Sequence, residues 1–280
     1  MTNPSVTEHK IDPASLAALP RTSGVYIFKG EGTLPLYIGK SVDIRSRVMS
    51  HLRATDEASM IAQTRRIDFV ETAGEIGALL LESRMIKEQS PLFNQRLRRV
   101  RTLCSIRLTS TGNGNLPEVV DSKSVNLGET AGLYGLFSSD HAAKARLKEL
   151  AQQHRLCMSV LGLEKTSSRG CFGLQIKTCL GACVGKEDRH THDQRLLSAL
   201  VESQVEVWPF NGPIDVIEES YGWVQRHRVN KWCYLGTRCS KVGTASKLNA
   251  FKQNDFDLDS YKILVKPIML KTVKVETVDP

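Results

Sequence analysis

Residues 24–41 read Gly-Val-Tyr-Ile-Phe-Lys-Gly-Glu-Gly-Thr-Leu-Pro-Leu-Tyr-Ile-Gly-Lys-Ser, two apolar runs around a glycine-flanked glutamate. Runs rich in β-branched and aromatic residues on either side of a Gly-containing turn form a β-hairpin, here over residues 24–39 with the turn at Gly30-Glu31-Gly32. A turn centred on Glu31 sets Tyr26 and Tyr37 nearly opposite each other, with both phenols on one face of the sheet. Cross-strand aromatic pairs also stabilise sheets with no chemistry attached, so packing alone accounts for the pair equally well. Gly39 lets a backbone approach closely. Lys40 and Ser41 then stand at the mouth of a helix, where amide groups and the helix dipole favour a phosphate.

Working outward, Ser41 serves as N-cap for a helix reaching about Arg53, with Ile44, Val48, Met49 and Leu52 at helical spacing. Residues 65–71 read as a third strand and 75–88 as a second helix that stops before Ser90-Pro91, since a residue preceding proline avoids the helical region. The result is a compact ββαβα unit closing near Leu97. Beyond it lie strand-like pieces at 104–108 and 133–137, a Gly- and Ser-containing loop over 109–128, and a helix over 140–154 of strongly helix-forming composition. A cysteine-bearing segment at 157–183 and a helix over 193–207 follow. Strand-like runs at 214–216, 223–229, 232–235, 261–265 and 268–275 then predict a small terminal β domain.

The chain has 280 residues, 41% hydrophobic and 24% charged, with 20 Gly and 10 Pro, which excludes disordered and collagen-like classes. Its length suits two or three domains with cores of their own. Nothing approaches the about 18 consecutive apolar residues of a membrane span, and the start lacks the basic and apolar regions of a signal peptide. A cytoplasmic protein with no membrane partner is expected. Seven cysteines, an odd number, argue against a disulfide framework there. The net charge of +8 favours a polyanion. Its distribution sharpens the point: Arg96, Arg98, Arg99, Arg101 and Arg107 form one window without an acid. Arg226, Arg228, Lys231, Arg238, Lys241, Lys247 and Lys252 form another, mixed with Trp223, Trp232 and Tyr234. Two basic windows suit a long phosphate backbone, aromatics between cations suit stacking on bases, and solvated faces or a tryptophan core are the plainer alternatives.

Glu82 is the awkward residue. Its helical neighbours at i−4, i−3, i+3 and i+4 are Ala78, Leu79, Met85 and Ile86, all apolar. An ionised carboxylate in such surroundings costs several kcal/mol unless a cation, an arginine or a metal ion sits opposite it, or unless it lies on the rim of a wide apolar face.

Taken together, Gly24-Val25-Tyr26, Tyr37-Ile38-Gly39-Lys40, Arg47 ten places after Tyr37, Glu82 on the second helix and Asn94 in Pro91-Leu-Phe-Asn94 resemble the GIY-YIG nuclease signature in order and spacing. Only Val25 departs from it, standing for Ile. The likeness continues through Gly132-Leu-Tyr-Gly-Leu-Phe137 and the run from Cys171 to Cys183, which resemble the N-terminal half of UvrC. The chain is too short for the UvrC C-terminal nuclease and helix-hairpin-helix domains, so it is identified as a short member of the UvrC family. The fold expected is α+β: a small antiparallel sheet flanked by helices, a mixed cysteine region and a small β-rich end. The divisions are a leader (1–19), the nuclease domain (20–98), a UvrC-like linker and cysteine region (99–207) and the terminal domain (208–280).

The resemblance implies an endonuclease that incises damaged double-stranded DNA on the 3′ side of the lesion once UvrA and UvrB have loaded the site. It implies one Mg²⁺ or Mn²⁺ on Glu82, a scissile phosphate gripped by Arg47, and Tyr26 or its rival Tyr37 as general base, activated by the metal or Lys40. Asn94 would orient a phosphate or the hairpin by amide hydrogen bonds. His51, one turn beyond Arg47, stands either as support for the site or as a plain surface residue. Arg96, Arg98, Arg99, Arg101, Arg226, Arg228 and Lys231 are the expected DNA contacts, and the terminal domain has docking of UvrB as its alternative role. Cys157, Cys171, Cys179 and Cys183 lack the paired spacing of a zinc ribbon. Their spacing leaves an Fe–S cluster, Zn²⁺ and inert buried thiols open, and the UvrC resemblance tilts the choice to [4Fe–4S]. Cys104, Cys233 and Cys239 are read as structural, and His190 and His192 as solvated.

Overall fold

A computed structural model describes residues 10–94, 102–165, 169–240 and 256–278. The chain divides into two compact units, residues 1–99 with 210–280 and residues 100–209.

The first unit opens with a short helix α1 (Pro13–Ala17), capped by Asp12. The hairpin follows as β1 (Gly24–Lys29) and β2 (Pro35–Ser41), then α2 (Ile44–His51), a 3₁₀ turn at Thr55–Glu57, α3 (Ala58–Gln63), β3 (Arg66–Glu71) and α4 (Glu75–Gln89). The strands form an antiparallel sheet in the order β2-β1-β3. Because alternate residues of a strand face opposite sides, the central strand fills two cores. Tyr26 and Phe28 pack with Ile44, Val48, Met60, Ile61 and Ile67. Val25 and Ile27 pack with Ile38 and Ile86 on the other face.

Two local expectations are corrected here. The hairpin register sets Tyr26 opposite Gly39 and Phe28 opposite Tyr37, with an irregularity after Phe28 where Lys29 faces Pro35. A turn one residue further along than Glu31 produces this shift, and the phenols meet diagonally instead of directly. The α2 cap is Asp43, whose Oδ1 accepts from Ser46 N at 2.8 Å. Ser41 ends β2 and closes the intervening turn, accepting from Asp43 N at 3.0 Å. The helices α1 and α3 carry too little periodic pattern to be anticipated. By contrast, α4 ends as proline dictates, on Ser90 in the left-handed region (φ 46°) just before Pro91.

The second unit holds β4 (Cys104–Thr111), β5 (Gly114–Asp121) and β6 (Leu133–Phe137), paired in the order β5-β4-β6. The expected loop over 109–128 is overturned: Gly112-Asn113 is a two-residue hairpin turn and β5 follows it, with Thr111 opposite Gly114. Helices α5 (Asp140–Gln153), α6 (Phe172–Gln175) and α7 (Arg189–Leu200) complete the unit. Ile106, Leu147, Leu150, Leu156, Leu161, Leu196 and Leu200 form its core.

The remainder of the first unit is a four-stranded antiparallel sheet and a helix: β7 (Ile214–Ser220), β8 (Trp223–Asn230), β9 (Cys233–Cys239), α8 (Leu258–Met269) and β10 (Lys274–Thr277), with strand order β10-β7-β8-β9. Residues 261–265, read as a strand from their β-branched and aromatic content, lie in α8. Asp257 caps that helix, and Tyr261, Leu264 and Ile268 bury one face. Helical periodicity outweighs the residues' β propensity. No helix among the described residues is long and apolar enough to cross a membrane.

Candidate active site

The hairpin brings Tyr26 and Tyr37 together with ring centroids 6.2 Å apart. Tyr26, at 1% exposure, lies across Gly39, where a Cβ would fall 2.3 Å from its hydroxyl. Within the fold, the close approach that Gly39 permits is to a phenol. Gly24, the first signature glycine, has an equally steric reason: a Cβ there would sit 2.2 Å from Val70 O. Arg47, exposed on α2, lies by the Tyr26 hydroxyl and acts against the burial that raises it.

Glu82 projects from α4 to the edge of the hairpin, where its Oε1 accepts from Lys40 N at 2.9 Å. Burial pushes its carboxyl above the ordinary range, against the lowering effect of that amide and of the Lys40 charge. Among the described residues no cationic side chain forms an ion pair with it. Its charge reaches both phenols and raises them. Acid, phenols and guanidinium thus share one side of the fold. A half-buried carboxylate with an amide donor and no counter-ion fits a divalent cation, which binds oxygen donors and supplies the missing charge.

Lys40 is placed differently from its expected role. Its ammonium pairs with Glu75 Oε1 at 2.5 Å, so it does not depress the pKa of either tyrosine. Both phenols are in fact raised, chiefly by burial. Asn94 resolves in favour of the hairpin: Oδ1 accepts from Ile38 N at 2.9 Å and Nδ2 donates to Ile38 O at 2.8 Å, fixing the strand between Tyr37 and Gly39.

His51 is a residue that the sequence does not settle. It is 2% exposed, which removes the surface alternative, and its Nε2 lies 2.7 Å from the Tyr26 hydroxyl. Glu57 holds the other ring nitrogen. An ionised carboxylate only accepts, so Glu57 takes Nδ1–H and leaves Nε2 as acceptor for the Tyr26 proton. The available signal was the spacing of His51, four residues after Arg47 on one helix. Glu57, in a 3₁₀ turn, gave none.

The expected DNA contacts fare unevenly. Arg96, Arg98, Arg99 and Arg101 lie outside the described residues, as do Lys241, Lys247 and Lys252. Arg226 pairs with Glu276. Arg228 binds the buried Asp215 at 2.5 Å and 3.1 Å, and Arg238 binds the same acid at 3.0 Å. Arg228 is engaged inside the fold, while Arg226 and Arg238 are partly exposed and already ion-paired, so none of the three is a free phosphate contact, which corrects that expectation. Lys231 is exposed in the β8–β9 turn. Trp232 next to it is fully buried against Tyr261 and is core.

In the second unit the cysteines converge. Sγ of Cys157 and Cys171 are 3.7 Å apart, and those of Cys171 and Cys179 are 3.3 Å apart. The three ligand atoms lie within 4.8 Å of one another, with Cys183 packed against them. Burial pushes the Cys171 and Cys183 thiols up to about 11. For Cys157 burial acts in the same sense but is outweighed by hydrogen bonds from Val160 N and the neighbouring thiols, which bring it below the usual range. His190 is exposed as expected, whereas His192 is fully buried and corrects its reading. Its Nε2 accepts from Cys157 N at 3.1 Å and its Nδ1 meets Asp193 at 3.1 Å. Four converging soft donors with a histidine fixing one of them fit a thiolate-held metal centre.

Residues 22–95 match the UvrC-like GIY-YIG domain, residues 103–202 the UvrC/Cho excinuclease middle domain, and residues 213–280 the Excinuclease Cho C-terminal domain. An Excinuclease cho of Escherichia coli (strain CFT073) is 45% identical over 264 residues, covering 94% of this chain and 88% of that protein. The chain belongs to the excinuclease Cho family. A second member, from Salmonella typhi, is 48% identical over 91% of this chain and 85% of its own length. The magnesium-bound GIY-YIG endonuclease domain of UvrC from Thermotoga maritima is 31% identical over 29% of this chain and 92% of that one, with a TM-score of 0.27. As an excinuclease Cho family member the chain is a nuclease, a phosphodiester hydrolase of the excision-repair type with a GIY-YIG domain.

Proposed function

We propose that this nuclease nicks damaged duplex DNA once, on the 3′ side of a lesion, after UvrA and UvrB have loaded the site. The observation that carries the reading is that Glu82, with no cationic partner among the described residues, and the exposed Arg47 both act on the same two phenols. Glu82 would hold one Mg²⁺ or Mn²⁺, which when bound supplies charge stabilisation to the phosphate and the leaving oxygen.

The chain's own residues divide the remaining work. Arg47 grips the scissile phosphate through its free donors. Tyr26 takes the proton of the attacking water while passing its own to His51 Nε2, and Glu57 keeps His51 in the accepting tautomer. Burial of Tyr26 makes a standing phenolate costly, so a hand-over to His51 suits it better than prior ionisation. Tyr37 borders the phosphate and, as the less buried phenol, is the rival base. Lys40 holds Glu82 by its amide and the N-terminal turn of α4 by its ammonium. Asn94 fixes the hairpin. Cys157, Cys171, Cys179 and Cys183 would hold a [4Fe–4S] cluster, supported by their burial and convergence.

The test is incision of an end-labelled damaged duplex with and without UvrA, UvrB and a divalent ion. The proposal requires a single 3′ nick that needs all of them and disappears in Glu82→Ala. Equal activity of the variant, or cleavage of undamaged DNA without the partners, overturns it. Anaerobically purified protein should show brown absorbance with about four irons per chain, and colourless protein with one zinc would replace the cluster assignment.

A further inference from the structure

Helix α4, which carries Glu82, has no cap of its own: Gly74 stands at the N-cap position, with no side chain to offer. Its first amides are received instead by a residue some 140 positions away. Glu218 of β7 accepts from Ile76 N at 2.9 Å through Oε1 and from Gly77 N at 2.7 Å through Oε2. Such a carboxylate satisfies two of the four unpaired amides of a helix start and complements the positive end of its dipole.

The cap is built in. Glu218 Oε2 is held by His227 Nε2 at 3.1 Å, and His227 Nδ1 meets Thr237 Oγ1 at 2.6 Å, with the histidine 1% exposed. Next to it, Gln225 Oε1 accepts from Ala73 N at 2.9 Å. The approach depends on glycine: a Cβ at Gly74 would fall 2.2 Å from Glu218 Oε1, and one at Gly77 would fall 2.9 Å from both Gln225 and His227. At the far end of α4, Lys87 Nζ reaches Asp257 at 2.6 Å and Asp259 at 2.8 Å, at the start of α8. Ile76, Leu80, Ser83 and Lys87 lie on one face of the helix and Glu75, Ala78 and Glu82 on another, by the 3.6-residue period. One face is thus held at both ends by the C-terminal segment while the other presents Glu82 to the hairpin.

We propose that Glu218 is a positioning residue for Glu82, and that the C-terminal segment serves the nuclease by fixing where along its axis, and at what rotation, α4 presents that carboxylate. The inference rests on the metal reading of Glu82 above and extends it to a residue on another sheet. A displaced carboxylate weakens the metal, as the loss of outer-shell support usually does.

The full chain is titrated with Mn²⁺ by electron paramagnetic resonance, and amide hydrogen exchange is followed over residues 75–82. Glu218→Ala should weaken Mn²⁺ binding about tenfold and release the protected amides of Ile76 and Gly77. Glu218→Gln, which keeps one acceptor oxygen, should fall between it and the parent and serves as the reading if the alanine variant does not fold. Glu219→Gln, at the neighbouring exposed position, should change neither measurement. Parent-like Mn²⁺ affinity in the Glu218 variants, with or without loss of amide protection, overturns the positioning role. A parent protein that binds no Mn²⁺ overturns the metal reading itself, which is a different result.

Discussion

Two carboxylates in the same compact unit lie in opposite states. Asp215 of β7 is 3% exposed, yet its carboxyl lies below the usual range: burial alone would raise it, but Arg228 and Arg238 outweigh that effect. Glu82 of α4 is less buried, yet its carboxyl is raised, because an amide and the charge of Lys40 do not offset burial. A buried acid that has spent its charge on arginines is a structural device, while one left short of a cation is prepared for a ligand. The difference also bears on the second basic region: Arg228 and Arg238 answer an internal acid and are not free for DNA.

The largest effect that can break this contrast is in catalysis. Glu82→Gln should lower nicking about 10³-fold, since the metal's charge stabilisation is worth several kcal/mol, while the melting temperature holds or rises. Asp215→Asn should do the reverse, costing about 3 kcal/mol of stability by breaking the ion pairs of a buried carboxylate and sparing the nicking rate below the melting point. Thermal denaturation and end-labelled incision on the same samples check both. If Glu82→Gln unfolds the protein instead, the acid is structural and the contrast fails.

Next in size is the proton path. Tyr26→Phe should cost about 10² to 10⁴ in the nicking step, and His51→Ala about 10² at most, because a water can replace an imidazole as acceptor. Measured under saturating metal and substrate, the two losses should not multiply in the double variant. Additive free energies would mean that His51 does not take the Tyr26 proton.

A smaller, signed effect lies in the pH dependence of stability. A carboxyl raised in the fold binds its proton more tightly there than in the unfolded chain, so its favourable contribution is present below about pH 4.5 and is lost as pH rises through the folded value. Asp215, lowered in the fold, contributes above about pH 3.8 and loses that contribution as pH falls through its folded value. Glu82→Gln should therefore gain on the parent as pH rises from 4 to 7, and Asp215→Asn should lose ground on the parent as pH rises through the acid range and recover it as pH falls. Chemical denaturation at several pH values reads both slopes, and equal slopes would erase the distinction. Added Mn²⁺ should stabilise the parent more at pH 7 than at pH 4 and leave Glu82→Gln unmoved.

Much of the nuclease site was legible because each signature residue has a local reason. Gly24 and Gly39 are steric necessities, Tyr26 and Tyr37 share a sheet face, and Glu82 interrupts an apolar stripe. What escaped was set by distant contact. His51, the proposed proton acceptor, stands out only by its burial against Tyr26, and Glu218 only by a helix start on another part of the chain. The strand reading of 261–265 failed because aromatic and β-branched residues at helical spacing satisfy both patterns, and the Asp257 cap with the buried face decided for helix. The described part of the basic window that runs from Arg226 to Lys252 misled for the opposite reason: its opposing acids, Asp215 and Glu276, lie on β7 and β10, outside the window.

That last point gives the smallest prediction. Arg226→Ala removes an exposed guanidinium already paired with Glu276, and such pairs contribute little and weaken with salt. Affinity for a duplex at physiological salt should fall by less than about twofold, with the salt slope unchanged, because no phosphate contact is lost. Arg47→Ala should reduce the slope by about one contact. Fluorescence anisotropy across a salt series distinguishes them. A slope reduced in Arg226→Ala would mean that DNA displaces Glu276 on binding, and the C-terminal sheet would then be an electrostatic surface as well as a support for α4.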